Sequence, residues 1–258
     1  MNILEKMSLK DKTCFVTGAA RGIGAEISLG LAEAGSDVII VDLDLIEATH
    51  VADVIRDKTG RKTLAIQADC TRKSDVDFMV KNIVEKFGKI DAAFCNAGIC
   101  KNIPFTEMTV RDFTQVIDVN LTGVFITAQA AAKQMLKQGF GSIINTASMS
   151  GSIVNVPQPQ CAYNASKAGV VMLTKSMAIE LAKKNIRVNC ISPGYIATDL
   201  IKSSEYLKPL IEKWEDLSPM GRLGTPEELQ SIAVYLAGDS CPFCTGSNFT
   251  IDGAFTCF

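Results

Sequence analysis

Histidine and tryptophan are almost missing from this 258-residue sequence, which has one of each, and aromatic residues make up only 7%. The single histidine, His50, falls in a surface-helix pattern, which excludes histidine-based acid–base chemistry and multi-histidine metal sites. An excess of one charge sign is missing too. Lys and Arg number 26 against 28 Asp and Glu, a net charge of −2, so the chain lacks the basic stripe that a nucleic-acid surface requires. No apolar run reaches the roughly 18–20 residues of a membrane-spanning helix, so no membrane partner is expected. The Met1–Met7 stretch is too charged, and its apolar part too short, for a secretory signal. Internal repeats, low-complexity tracts and Pro/Gly/Ser-rich linkers are absent. What is present is a chain 47% hydrophobic and 21% charged, enough for a sizeable core.

The nine cysteines are odd in number and scattered through apolar segments. They read as reduced core thiols in a cytoplasmic protein, not as a disulfide framework. Cys241 and Cys244 form one Cys-x-x-Cys. A structural zinc needs four ligands and the other cysteines are far away in sequence, so no metal is expected.

The pattern is strand then helix, repeated to the end. Strands are expected at Thr13–Thr17, Val38–Val41, Thr63–Gln67, Ile90–Cys95, Ser142–Thr146, Arg187–Ile191 and Phe249–Ile251. Helices are expected at Arg21–Ala34, Ala48–Lys58, Asp75–Phe87, Val110–Gln138, Ala162–Lys184 and Pro226–Ala237. Short apolar strands alternating with helices imply an α/β fold: one Rossmann-like, doubly wound parallel sheet of about seven strands, covered on both faces. Ligands then bind outside the carboxyl ends of the strands. The alternation never breaks into two units, so residues 1–258 read as one domain. Leu200–Met220, helix-like and carrying Trp214, interrupts the rhythm and reads as a flap over the substrate.

The first strand runs into Thr17-Gly18-Ala19-Ala20-Arg21-Gly22-Ile23-Gly24 and then a helix. Gly18 permits the tight turn, Gly22 lets backbone approach a diphosphate, Gly24 lets helix and strand pack, and the helix N-terminus at Ile23 faces the negative charge. In this strand–turn–helix context the loop predicts dinucleotide binding. Asp42 ends the second strand, 18 residues after Gly24. Its carboxylate can accept from adenosine ribose hydroxyls and repels a 2′-phosphate, so NAD is preferred over NADP. Arg21 pulls the other way, since a guanidinium there can meet that phosphate. Asp69 and Cys70, after the third strand, are candidates beside the adenine, and Asp69 reads equally well as a loop cap.

Tyr163 and Lys167 stand at i and i+4 and share one helix face. A tyrosine is a poor base at neutral pH unless a cation lowers its pKa. With Lys167 and an oxidised nicotinamide nearby, Tyr163 could exchange a proton with an alcohol oxygen while hydride moves to the cofactor. Ser148, at the end of the fifth strand, could hydrogen-bond that oxygen. Asn120 is a poor helix former in mid-helix and asks for a reason. Taken singly, each has a bland reading as surface aromatic, solvated charge or cap.

Jointly, these residues resemble the short-chain dehydrogenase/reductase family over essentially the whole chain, Thr17 to Gly253. The marks are the glycine loop, Asn96-Ala97-Gly98, Asn120, Ser148, Tyr163-Asn164-Ala165-Ser166-Lys167, and Pro193-Gly194 with Thr198. The resemblance implies a catalytic tetrad. In it Tyr163 is the acid/base and Ser148 polarises the substrate oxygen. Lys167 binds the nicotinamide ribose and tunes Tyr163, and Asn120 holds a relay water. It also implies that Asn96, Ala97 and Gly98 support the sheet beside the cofactor, that Pro193 and Gly194 adjoin it, and that Ile196 and Thr198 hold the carboxamide. The family usually forms homotetramers through its two long helices and C-terminal region, here with an apolar tail of Phe255, Cys257 and Phe258.

Three departures stand out. Cys95 replaces the first Asn of the family's Asn-Asn-Ala-Gly. Ser148 and Tyr163 are 15 apart, slightly more than usual, and Ser150 is a rival serine at 13. Gly151, three residues after Ser148, favours Ser148. Asp252-Gly253-Ala254 stands where two glycines are common. The loop Gly151–Gln160 precedes Tyr163, and its Asn155, Gln158 and Gln160 offer polar groups suited to hydroxyls, with Ser150 just before it as a further substrate candidate. With Thr146–Gly151, it looks like the family branch acting on polyols and ketoses (sorbitol-, mannitol- and gluconate-type enzymes). The alternatives are an NADPH-dependent 3-oxoacyl carrier-protein reductase, a hydroxysteroid dehydrogenase and, from another class, a non-catalytic dinucleotide-binding protein. Trp214, Phe243 and Phe249 read as packing residues.

Overall fold

The computed structural model describes residues 2–198, 201 and 207–257. Seven strands form one parallel sheet: β1 Thr13–Thr17, β2 Asp37–Asp42, β3 Thr63–Gln67, β4 Ala92–Cys95, β5 Gly141–Thr146, β6 Ile186–Pro193 and β7 Asn248–Ile251. Their order is β3-β2-β1-β4-β5-β6-β7. The chain winds outward from β1 in one direction, returns to β4 and winds outward in the other. The switch point therefore lies between β1 and β4, where Val16 pairs with Phe94. In such a sheet the crevice for a ligand opens at the carboxyl ends of these two strands.

Alternation along each strand fills two cores. Phe15, Ile39 and Ile143 face α4 (Lys73–Phe87), α6 (Gly123–Gln138) and α7 (Cys161–Leu181). Val16, Ile40 and Ile144 face α2 (Gly22–Glu33), α3 (Leu45–Thr59) and α9 (Gln230–Ala237). Both faces are covered, which is why the strands read as continuous apolar runs.

Most element boundaries fall within a few residues of expectation. The long helix expected at Val110–Gln138 is different. It is α5 (Val110–Ile117), one π-helical turn at Asp118–Thr122, and then α6. The π-turn carries Asn120, which answers the question its mid-helix position raised. Ala162–Lys184 begins one residue earlier as α7 and ends in a 3-10 turn, Ala182–Lys184. Two further helices lie outside the alternation: α1 (Ile3–Met7), and α8 (Lys208–Leu217) within the expected flap. Positions 200 and 202–206 of that segment, and Phe258 of the tail, lie outside the described residues.

One packing expectation fails and one holds. Phe243 is fully exposed rather than packed, whereas Trp214 is buried against the ring of Tyr195, centroids 4.2 Å apart. Cys241 and Cys244 close a turn through a Cys244 N–H···O=C Cys241 bond of 3.0 Å. All nine cysteines are free thiols. No described helix is long and apolar enough to cross a membrane.

Candidate active site

The glycine loop is built by close approach. Gly18 has φ +63°, and a methyl group there would lie 2.8 Å from the Ala97 Cα. At Gly24 the clash would be 2.2 Å, with the Gly18 carbonyl. Gly22 lies against the side chain of Thr198, so the segment after β6 closes over the loop from the far side. Asn96 ties the strand ends together. Its Nδ2 donates to the Thr17 and Gly18 carbonyls at 3.0 and 3.2 Å, and its Oδ1 accepts from Thr146 Oγ1 at 3.1 Å. The first turn of α2 begins at Arg21 with no side-chain cap, so its backbone N–H groups are available to an anion. A cradle without side chains, facing uncapped helix donors, fits the diphosphate of a dinucleotide.

Around the adenosine end the residues meet expectation unevenly. Asp42 stands at the end of β2, but its two oxygens already accept from the N–H groups of Ala20, at 3.0 Å, and Asp44, at 3.2 Å. Arg21 is exposed and only loosely paired with Asp44, at 3.4 Å. Asp69 takes its bland role: one oxygen accepts from the Thr71 N–H at 2.9 Å and hydroxyl at 2.7 Å, and the other faces Arg72. The Cys70 side chain is buried beside Thr17, Gly123 and Thr127, and burial pushes its pKa up to about 11. Its thiol is thus a packing group, so Cys70 would offer a cofactor only its backbone. On the nicotinamide side, Ile196 bridges to Gly224, and Gly194 sits directly against the Asp252 backbone.

The four residues expected to act together do converge. Lys167 is buried, and its Nζ donates to the Thr146 carbonyl at 2.7 Å while lying 5.5 Å from the Tyr163 ring centroid. A methyl group on Gly98 would lie 3.3 Å from Asn120 Oδ1 and 3.5 Å from Lys167 Nζ, so both groups border one small space. Asn120 is fully buried. Its Oδ1 accepts from the Ile99 N–H and its Nδ2 donates to the Ile99 carbonyl, both at 2.8 Å, and Nδ2 also reaches Ser166 Oγ at 3.1 Å. Ser166 in turn donates to the Tyr163 carbonyl at 2.7 Å. The Ser148 hydroxyl hydrogen-bonds the Tyr163 hydroxyl, which eases the phenol toward ionisation.

Electrostatics follow from burial. Enclosure of the Tyr163 hydroxyl pushes its pKa up to about 12, against the smaller lowering by Ser148. Burial lowers that of Lys167 to about 8. Tyr163 in this state is a protonated acid at neutral pH, beside a lysine near its own titration point.

The rival serine has a different place. Ser150 Oγ lies 3.1 Å from Ser148 Oγ and its N–H donates to Ser148 Oγ at 3.1 Å, while Gln160 Nε2 approaches Ser150 Oγ at 3.3 Å. Ser148 stands between Ser150 and Tyr163. Gly151 ends this 3-10 turn against α7, where a methyl group would lie 2.8 Å from the Lys167 carbonyl.

The loop amides expected to face substrate are instead buried: Asn155 is 3%, Gln158 7% and Gln160 8% exposed. Gln160 Nε2 meets Asn155 Oδ1 and Asn164 Oδ1, at 3.1 and 2.9 Å, and Gln158 and Asn155 both donate to the Tyr195 hydroxyl. They bond one another and Tyr195 rather than standing as free amides. Two residues beside the site were not anticipated. Tyr195 follows the Pro193-Gly194 mark directly. Cys100 follows Gly98 by two residues, and its thiol lies 3.8 Å from Gln160 Oε1. Position next to a recognised motif was the available signal for both. Among the described residues, no three His, Cys, Asp or Glu side chains come together as a metal site.

Comparison with known proteins agrees with this geometry. Residues 18–256 match the family described as Enoyl-(Acyl carrier protein) reductase. A sorbose reductase of Candida albicans is 39% identical, the match covering 99% of this chain and 91% of that protein. A probable NADP-dependent mannitol dehydrogenase of Yarrowia lipolytica is 38% identical, with the same two coverages, 99% and 91%. A 3-oxoacyl-[acyl-carrier-protein] reductase of Synechocystis is 37% identical over 97% of this chain and 99% of its own. Among solved structures, a short-chain dehydrogenase/reductase from Mycobacterium marinum superposes with a TM-score of 0.96 at 44% identity, all of both chains being covered. A gluconate 5-dehydrogenase from Burkholderia cenocepacia, in complex with NADP and tartrate, gives 0.92 at 30% identity, again over both whole chains. A glycine cradle at the β1/β4 switch point, a serine–tyrosine–lysine cluster beside it and these full-length matches have one reading: the chain belongs to the short-chain dehydrogenase/reductase family, oxidoreductases that use a nicotinamide cofactor on alcohols and ketones.

Proposed function

We propose that this protein reduces a ketose to the matching polyol, and oxidises that polyol in reverse, with NADP(H). The observation that carries the reaction type is the Ser148–Tyr163–Lys167 cluster beside the glycine cradle. In reduction, Ser148 and Tyr163 bind the carbonyl oxygen. As that oxygen gains negative charge, Tyr163 Oη donates its proton to it, and the product is a secondary alcohol. In oxidation Tyr163 takes that proton back. The bound nicotinamide supplies or accepts the hydride, and the chain's residues handle only the proton and the orientation. Lys167, buried and cationic, favours the phenolate that remains. Asn120 holds the Ile99 segment and α7 in register around Lys167. Gly18, Gly22, Gly24 and the start of α2 hold the diphosphate; Ile196 and Thr198 adjoin the nicotinamide end.

The polyol reading is supported by the sorbose- and mannitol-acting relatives and by the polar framework behind the Gly151–Gln160 wall. The preference for NAD expected from Asp42 gives way here to NADP(H). Both Asp42 oxygens already accept from backbone donors, Arg21 is exposed and only loosely paired with Asp44, and the mannitol dehydrogenase relative and the gluconate 5-dehydrogenase complex are named with NADP. A homotetramer fits the exposed apolar side chains Phe113 and Phe125, on α5 and α6, and Met172 and Ile179 on α7. The nine free thiols fit a cytoplasmic setting. The described stretch 207–220 of the expected flap, with Trp214 on its α8, is proposed as a cover of the substrate.

The test is a panel of initial rates on sorbose, fructose, mannitol and a 3-oxoacyl thioester, each with both cofactors. Turnover of a ketose or polyol with a clear NADP(H) preference is expected. Arg21→Ala should lower kcat/KM for NADPH by about tenfold, the loss of one charge-assisted hydrogen bond, and leave that for NADH unchanged. Turnover of the thioester alone sinks the polyol reading, and a wild-type preference for NADH sinks the cofactor assignment.

A further inference from the structure

The orientation of one buried amide can be derived. The Trp214 indole N–H is a donor only, and it meets Gln158 Oε1 at 3.1 Å. The other end of that amide, Nε2, therefore carries the hydrogens that point to the Tyr195 hydroxyl, 2.7 Å away. Asn155 takes its orientation from Gln160, whose Nε2 faces three oxygens, those of Ser150, Asn155 and Asn164. Gln160 Nε2 meets Asn155 Oδ1 at 3.1 Å, which leaves Asn155 Nδ2 to donate to the Tyr195 oxygen, also at 3.1 Å. A phenol oxygen that accepts two hydrogen bonds keeps its own proton to donate. Among the described residues no acceptor takes it.

The ring that carries this proton is held in place. Tyr195 stacks on Trp214, with ring centroids 4.2 Å apart and planes 10° from parallel, and the edge contact with Phe255 is at 5.3 Å. Tyr195 reaches the surroundings of the reacting centre through Asn155, which meets Gln160, whose Oε1 faces the Cys100 thiol at 3.8 Å. It is nevertheless not at that centre. Between its hydroxyl and that of Ser148 stand Asn155, Gln160 and Ser150, linked in sequence by hydrogen bonds.

We propose that Tyr195 is a second substrate subsite: it donates its phenol proton to a hydroxyl oxygen of the substrate chain, one or more carbons from the carbonyl held by Ser148 and Tyr163. The ligand class is a polyhydroxylated ketone or alcohol. This rests on the ketose reading above and deepens it. Gln158, Asn155 and Trp214 are positioning residues, which aim the proton without touching the substrate. The design discriminates, since a substrate without that oxygen leaves a buried donor without a partner.

Tyr195→Phe keeps both ring contacts and removes the oxygen, and with it the acceptor of the Gln158 and Asn155 amides. With NADPH and sorbose, it should lower kcat/KM by about 10- to 100-fold, the cost of one unmade hydrogen bond in a specific site, chiefly through KM. With 2-hexanone, which has no distal hydroxyl, the same variant should match the wild type, and fluorescence titration should give an unchanged NADPH Kd. Trp214→Phe keeps the stack but frees Gln158 to flip, and should give a smaller loss confined to sorbose. Unchanged kinetics of Tyr195→Phe on sorbose overturn the proposal, as does an equal loss on both ketones. A wild type inactive on sorbose, fructose and mannitol overturns the ketose reading itself and this inference with it.

Discussion

The Asn120 carboxamide and the Ile99 peptide group bind each other twice, as two strands of a ladder would, with both hydrogen bonds at 2.8 Å. This pairing is why an asparagine stands in the middle of a long helical stretch. The π-turn at Asp118–Thr122 swings its side chain across to the segment after β4, and the same Nδ2 reaches Ser166 on α7. One amide thus joins three elements that meet at the site.

Asn120→Ala should therefore cost stability before it costs chemistry. It leaves the Ile99 N–H and carbonyl without their partners in a buried setting, each worth about 1–3 kcal/mol. Urea denaturation should give a loss of about 2–4 kcal/mol, with the slope of the transition unchanged. Because Lys167 and Gly98 border the same space, kcat should fall as well. A variant of wild-type stability would mean that the Ile99 peptide finds other partners.

Much of this was legible in the sequence and some was not, for identifiable reasons. The parallel sheet follows from short apolar runs separated by helical periodicity, and that signal survives because both sheet faces are buried. The glycine loop was legible because Gly18 and Gly24 answer to steric demands no other residue meets. Tyr163 and Lys167 were legible only jointly with the glycine loop, Asn120 and Ser148, since the i, i+4 spacing by itself is common by chance. The break in Val110–Gln138 was not, since a π-turn adds one residue to a turn without altering the apolar pattern on either side. Nor were the partners of Asn155, Gln158 and Gln160. An amide in a loop serves substrate or neighbour according to what the fold sets beside it. Here Tyr195 and Trp214, 37 or more residues later in the chain, partner Asn155 and Gln158, while Gln160 meets Ser150, Asn155 and Asn164.

The two serines should separate cleanly by substitution. Ser148 bonds Tyr163 directly, whereas Ser150 reaches it only through Ser148. Ser148→Ala should lower kcat by about 100-fold or more, the range for a donor that stabilises charge on a reacting oxygen. Ser150→Ala keeps the backbone N–H that donates to Ser148 Oγ, so it should lose about tenfold or less. Single-turnover rates of ketose reduction check both. Equal losses, or a larger loss at Ser150, would transfer the role to Ser150.

The pH dependence of reduction should report Lys167 and not Tyr163. Burial pushes Tyr163 up to about 12, so its proton stays in place across the working range. Burial lowers Lys167 to about 8, so its positive charge is present below that pH and is lost above it. The logarithm of kcat/KM for ketose reduction should accordingly be level below about pH 8 and fall above it. In Lys167→Met the rate should be low throughout and the falling limb should vanish. Stability carries the opposite sign. A lysine whose pKa is lower when folded than its ordinary 10.5 disfavours the folded state while charged, and that penalty is relieved as pH rises from about 8 to 10.5. The unfolding free energy of the wild type, measured against Lys167→Met, should therefore improve over the pH window in which activity declines. If activity and relative stability fell together there, Lys167 would not be the group that titrates.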